Sequence, residues 1–159
     1  MAEKQFTHVD ASGAARMVDV SGKDVSVREA TATGAVLVSA EVVGLLRGTG
    51  VPKGDALAVA RIAGIQAAKR TPDLVPLCHP IAIHGVVVDL EVLDDRVTIS
   101  ATVRTADRTG VEMEALTCVS VAALALVDMV KAVDPAAVIT DVRVEEKLGG
   151  KTGVWRREA

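Results

Sequence analysis

The chain has 159 residues, half of them apolar and a quarter charged, a composition that excludes disorder and suffices for one domain with its own core. A formal net charge of −3 offers no general attraction to nucleic acid or to an anionic membrane, so any bound anion must be met by a local group of cations. With one Phe, one Trp and no Tyr, almost nothing can stack on single-stranded bases, and the core must be built from Val, Leu, Ile and Ala.

From the N-terminus, residues 1–10 are polar and lack the apolar run of a secretory signal. Cys78 and Cys118 then read as free thiols of a cytoplasmic protein. Met17-Val18-Asp19-Val20 and Ala35-Val36-Leu37-Val38 read as strand cores. Ser39 is a good N-cap, with Glu41 in the first turn, for a short helix ending near Gly48. Residues 48–54 form a loop by composition, and Asp55 can cap a helix over 56–70. That helix is apolar nearly all round, so it is covered on more than one side, and Arg61 beside its stripe needs a partner.

The three prolines within 71–80 predict a stiff, irregular segment rather than a helix. Residues 83–92 and 96–104 alternate on either side of Asp94-Asp95, as a hairpin does. Thr109-Gly110 leads into a long helix over 111–133, with Glu112 and Glu114 at its positive end and Pro135 beyond its last turn. Its apolar stretch, 115–130, falls short of the ~20 residues a bilayer needs, so no membrane span is expected. A last strand over 138–146 runs into Gly149-Gly150-Lys151-Thr152-Gly153. With no repeat and no linker, the pattern is a single α+β domain: an antiparallel sheet with helices on one face, for which a ferredoxin-like arrangement is the natural small candidate. One sheet cannot cover two helices apolar on nearly all sides, so self-association is expected.

Asp128 and Lys131 lie one helical turn apart on the long helix, among Leu124, Leu126, Val127, Met129, Val130 and Val133. A surface salt bridge there would contribute little, whereas an ion pair partly buried in such surroundings points to a functional demand. Glu114 falls on the same side of that helix, fourteen residues away, or ~21 Å along the axis. The two carboxylates therefore cannot act on one atom within one chain: either they contact opposite ends of a long ligand, or they belong to different sites completed by a neighbouring subunit. Glu112 points elsewhere and reads as a dipole-compensating helix start. His79 is the only histidine in the proline-framed loop, whose stiffness suggests that its ring is aimed at something. Cys78 beside it is without further metal-ligand spacing. Lys53, Lys69, Lys147 and Lys151 sit where loops meet helices or glycines and can together form an anion pocket. Gly149-Gly150-Lys151-Thr152 is not a Walker motif, because the required first glycine would fall at Glu145 and no helix can follow.

Several motifs recur together: Met17-Val18-Asp19-Val20, Lys53-Gly54-Asp55, the run from Ala60 to Thr71, Leu77-Cys78-His79-Pro80, Thr109-Gly110-Val111-Glu112-Met113-Glu114, Asp128-Met129-Val130-Lys131 and Gly149-Gly150-Lys151. In this set the chain closely resembles the molybdenum cofactor biosynthesis protein C family, the cyclic pyranopterin monophosphate synthases. The resemblance implies a ferredoxin-like α+β subunit in a hexamer, a trimer of dimers, with active sites at subunit interfaces. It implies conversion of 3′,8-cyclo-7,8-dihydroguanosine triphosphate to cyclic pyranopterin monophosphate with release of pyrophosphate. It marks Asp128 and Lys131 as the catalytic pair and Lys53 as a further catalytic lysine, with Leu77, Cys78, His79, Met113 and Glu114 as substrate-binding positions. Glu112 joins them on the same motif, and Lys69, Lys147 and a Mg²⁺ accompanying the triphosphate are candidates to offset the departing charge. Arg108 departs from the pattern in keeping charge where lysine is also found. Two other readings compete: a non-catalytic ferredoxin-like regulator sensing a nucleotide through the same lysines, and a purely structural oligomer.

Overall fold

The computed structural model describes residues 6–48 and 55–159. Two long strands form its spine: β1 (Ser26–Leu37) and β3 (Arg96–Asp107) pair antiparallel along their whole length. On one side β3 continues to β2 (Gly85–Val92), its hairpin partner across Asp94-Asp95; on the other β1 pairs with β4 (Val138–Leu148), and the short β5 (Trp155–Arg156) closes the edge. The order is β2-β3-β1-β4-β5, antiparallel throughout. Alternation decides the faces: Val97, Ile99, Ala101 and Val103 of β3, with Ala30, Ala32 and Val36 of β1, are buried under the helices. Thr31 and Thr102, paired through their hydroxyls at 2.8 Å, lie on the opposite face with Thr33 and Ser100.

Helix α4 (Glu112–Val130) lies across β1, β3 and β4, and α2 (Ala56–Ala68) packs chiefly on α4 and β2. Among the described residues α4 alone is long and apolar enough to cross a membrane, but half of it is buried against this sheet and α2, as in the core helix of a globular domain. The local signals behave as physics requires. The Ser39 hydroxyl accepts from Val42 N–H to open α1 (Ala40–Arg47), and the Asp55 carboxylate accepts from Ala58 N–H at 2.9 Å to open α2. Arg61 finds its partner across the layer, donating from Nε to the Val88 carbonyl at 2.9 Å.

Two expectations fail. Met17-Val18-Asp19-Val20 is no strand: Asp19 and Val20 instead accept turn hydrogen bonds from Ser21 N–H and Lys23 N–H. Within 71–80 there is one helical turn, α3 (Thr71–Leu74), because Pro72 falls in the first turn, where its missing N–H has no intrahelical role. The prolines stop that helix without preventing it. Strand β5 was not foreseen, and Lys53 and most of the 48–54 loop lie outside the described residues.

The α2–α4 crossing depends on Gly64. A Cβ there would lie 2.9 Å from the Cys118 carbonyl and 3.1 Å from the Ala122 Cβ, so the helices approach at their backbones. Gly44 in α1 has open space around its Cα. Gly64→Val is therefore expected to lower stability by about 2–3 kcal/mol in urea unfolding, while Gly44→Ala raises it by up to ~1 kcal/mol through helix propensity.

Candidate functional site

The connection from β3 to α4, residues 108–111, delivers the N-terminal turn of α4 to one end of the sheet, beside the loop that follows α3. There Leu77, Cys78 and His79 come together with Glu112, Met113 and Glu114 around a cleft of about 290 Å³. The resemblance marks all six for substrate binding, and the structure brings all six to one cleft; the orientation of Glu112 alone differs from the sequence expectation. Sequence placed it on another side of the helix, yet it lines the same cleft, because at the first turn no preceding turn confines its side chain. It reaches back to pair with Lys147 Nζ at 3.1 Å.

Glu114 is the buried carboxyl of the cleft, 3% exposed. Burial pushes its pKa up to about 7; the hydrogen bond from its own backbone N–H opposes this, and Glu112 adds to the rise. A carboxyl so poised changes charge near neutral pH and can give or take a proton. Cys78 beside it is also shifted upward, by burial and then by Glu114, so its thiol stays protonated. The His79 ring donates from Nε2 to the Val18 carbonyl at 2.5 Å, since a carbonyl can only accept. Neutral His79 therefore keeps Nδ1 as its basic nitrogen.

A second cleft, about 360 Å³, adjoins the first and shares Thr7, Lys23, Thr109, Gly110 and Glu112 with it. Its cations are Lys23, Arg28, Lys147 and Lys151. Gly149 and Gly150, at φ 88° and 76°, shape its floor. A Cβ on Gly149 would lie 2.3 Å from the Val27 carbonyl, so glycine alone lets the β4–β5 turn press against β1. Of these four cations sequence reasoning identified Lys147 and Lys151 and missed Lys23 and Arg28. Their only signal was membership of Val- and Thr-rich N-terminal segments that the fold carries to the far end of β4.

Other expected site residues lie elsewhere. Lys69 caps the end of α2 and lines neither cleft. Asp128 and Lys131 do pair, at 2.7 Å, with Lys131 at the negative end of α4. The pair is not buried in the chain: the side chains are 56% and 58% exposed, because they point off the helix away from the sheet while Leu126, Met129 and Val130 point into it. Along the helix axis Asp128 lies fourteen residues, ~21 Å, from Glu114, and Lys131 lies farther still. Among the described residues no group of three or more His, Cys, Asp or Glu side chains forms a metal site.

Because the Glu114 pKa is higher folded than unfolded, its contribution to stability is full below about pH 4.5 and is lost as pH rises through about 7. Glu114→Gln should thus be more stable than the parent at pH 8, by about 1–3 kcal/mol, with the difference vanishing toward pH 5 in denaturant titrations at the two pH values.

The MoaC family model matches residues 17–150, a span that contains Leu77, Cys78, His79, Glu112, Met113, Glu114 and Lys147 and the Asp128–Lys131 pair, and ends just before Lys151. A cyclic pyranopterin monophosphate synthase of Nocardioides sp. is 73% identical over 157 residues, covering 97% of this chain and 96% of that protein. The synthase of Streptomyces avermitilis is 72% identical over 156 residues, covering 98% and 92%. A protein of Mycobacterium tuberculosis, cyclic pyranopterin monophosphate synthase 2, is 58% identical over 153 residues, covering 96% and 92%. With a family match over most of its length and relatives of this identity, the chain belongs to the MoaC family.

Proposed function

We propose that the chain is a cyclic pyranopterin monophosphate synthase of molybdenum cofactor biosynthesis, a lyase acting on 3′,8-cyclo-7,8-dihydroguanosine triphosphate and releasing pyrophosphate. One observation carries this reading at the level of chemistry: a cleft with a near-neutral carboxyl and a histidine opens directly onto a cleft with four cations. The first suits the proton transfers needed to rebuild a purine-derived ring, the second a triphosphate and its departing pyrophosphate. A Mg²⁺ carried in with the phosphates would find Glu112 and Glu29 at the edge of that second cleft. The relatives that share almost the whole chain are named as this synthase, which removes the ground for a nucleotide-sensing regulator.

In this reading Asp128 orients and tunes Lys131, and Lys53 supplies a second proton-transfer group. Asp128 lies ~21 Å along the helix from Glu114, so the two either contact opposite ends of a long ligand or complete sites with different copies of the chain, and the second arrangement is the one proposed. Supporting self-association, Val59 and Ile62 of α2 and Leu124 of α4 are exposed apolar side chains on the helical layer. A hexamer built as a trimer of dimers, from subunits of ferredoxin-like arrangement, accommodates this, and the order β4-β1-β3-β2 with its two principal helices supports that arrangement. A small-molecule substrate and a cytoplasmic setting complete the proposal.

Lys131→Ala should lower pyrophosphate release by at least ~100-fold, and Asp128→Asn comparably; turnover within tenfold of the parent would remove Lys131 from catalysis. The shared-site arrangement has its own check. Glu114→Ala and Lys131→Ala chains, each inactive alone, should regain about a quarter of the parental activity when unfolded and refolded together. No recovery on mixing would place both halves of the site in one chain.

A further inference from the structure

Residues 6–25 form a long segment outside the sheet, with one isolated bridge, Val9 to Ala15, and turns built on Asp10 and Asp19. It buries little: Phe6, Val9, Met17 and Val25 are all exposed. Its backbone hydrogen bonds mostly stay within the segment, as from Arg16 N–H to the His8 carbonyl. Among the described residues, two hydrogen bonds tie its backbone to the rest of the molecule. One is His79 Nε2–H to the Val18 carbonyl, and the other is Arg108 Nε–H to the Lys23 carbonyl at 2.9 Å. A segment so lightly held opens locally at low free energy unless those ties are kept.

Arg108 lines a further hollow with Met17, Asp19 and Ser21, which adjoins the carboxyl cleft through Val18, Val20, His79 and Thr109; neither the carboxyl cleft nor the cationic one includes Arg108 itself. Lys23, whose carbonyl it holds, lines both clefts. Arg108 is itself set by the body of the domain, its backbone N–H donating to the Asp107 carboxylate at 2.7 Å immediately after β3.

We propose that Arg108 is a positioning residue for the substrate: by gripping the Lys23 carbonyl, it holds the 18–25 stretch in place so that the Lys23 side chain stands where the two clefts meet. It touches no substrate atom and acts through Lys23. This rests on the assignment of the clefts as the substrate site. Loss of the grip frees the segment and weakens binding, and the bond-making steps deeper in the carboxyl cleft proceed unchanged once substrate is held.

The test uses the full chain with Arg108→Ala and Arg108→Lys. For Arg108→Ala we expect KM in pyrophosphate release to rise about tenfold with kcat within about threefold, and GTP to bind about tenfold more weakly in calorimetry. Trypsin should cut within residues 6–25 at least about fivefold faster. Arg108→Lys, which keeps a donor for the carbonyl, should restore most of each change. Parental KM together with a parental cleavage rate would overturn the proposal, as would faster cleavage without a change in KM or GTP binding, or a fall in kcat at constant KM. If the parent protein itself releases no pyrophosphate, the synthase assignment has failed, and cleavage and GTP affinity still decide for or against Arg108.

Discussion

Everything in this molecule is arranged around the burial of α4. The helix lies across β1, β3 and β4 on one side and against α2 on the other, and Ala115, Cys118, Val119, Ala122, Ala123 and Leu126 are fully enclosed. Small side chains permit that depth: alanine on α4 and glycine on α2 let two backbones meet where larger residues would hold them apart. The Cys118 thiol is caught in this contact, and burial pushes its pKa up to about 12, so it behaves as a small apolar group. With its middle committed to the core, α4 has only its ends left for chemistry. One end holds Glu112 and Glu114; the other holds Asp128 and Lys131.

This division explains why the two ends have such different surroundings. At the N-terminal end the β3–α4 connection, the loop after α3 and the β4–β5 turn converge, and Glu114 is shut off from water. At the C-terminal end the ion pair is more than half exposed, and in that state an i,i+3 pair contributes little to stability. The apolar neighbours in sequence suggest partial burial, but they face inward on a helix whose remaining side is open. A role for the pair therefore rests on its geometry, held out from the helix where another copy can meet it.

Local interactions were legible in the sequence and long-range ones were not. Ser39 and Asp55 announce helix starts because a cap is made within three residues, and the hairpin across Asp94-Asp95 is likewise local. Met17-Val18-Asp19-Val20 has the composition of a strand but finds no partner strand in the fold, and the turns on Asp19 and Val20 take its backbone groups instead. Pro72 misled in the opposite direction, since proline forbids the interior of a helix and suits its first turn. The carboxyl cleft could be anticipated from the Leu77-Cys78-His79 and Met113-Glu114 motifs. The cationic cleft could be anticipated only in part, because Arg28 comes to Lys147 through the pairing of β1 with β4 and Lys23 is held there by Arg108, contacts that span most of the chain.

The ion pair between Glu112 and Lys147 has a consequence for how the cationic cleft handles its guests. With Lys147 paired to Glu112 at 3.1 Å, the cationic cleft is internally neutralised at that point. For the triphosphate proposed to bind there, the pairing would make binding an exchange: the ligand would take the lysine from a resident carboxylate rather than simply neutralise it. Such an exchange would favour a ligand that meets Lys23, Arg28 and Lys151 together over a single small anion. On release the same carboxylate would reclaim the lysine, so the cleft would carry its own displacing counter-ion.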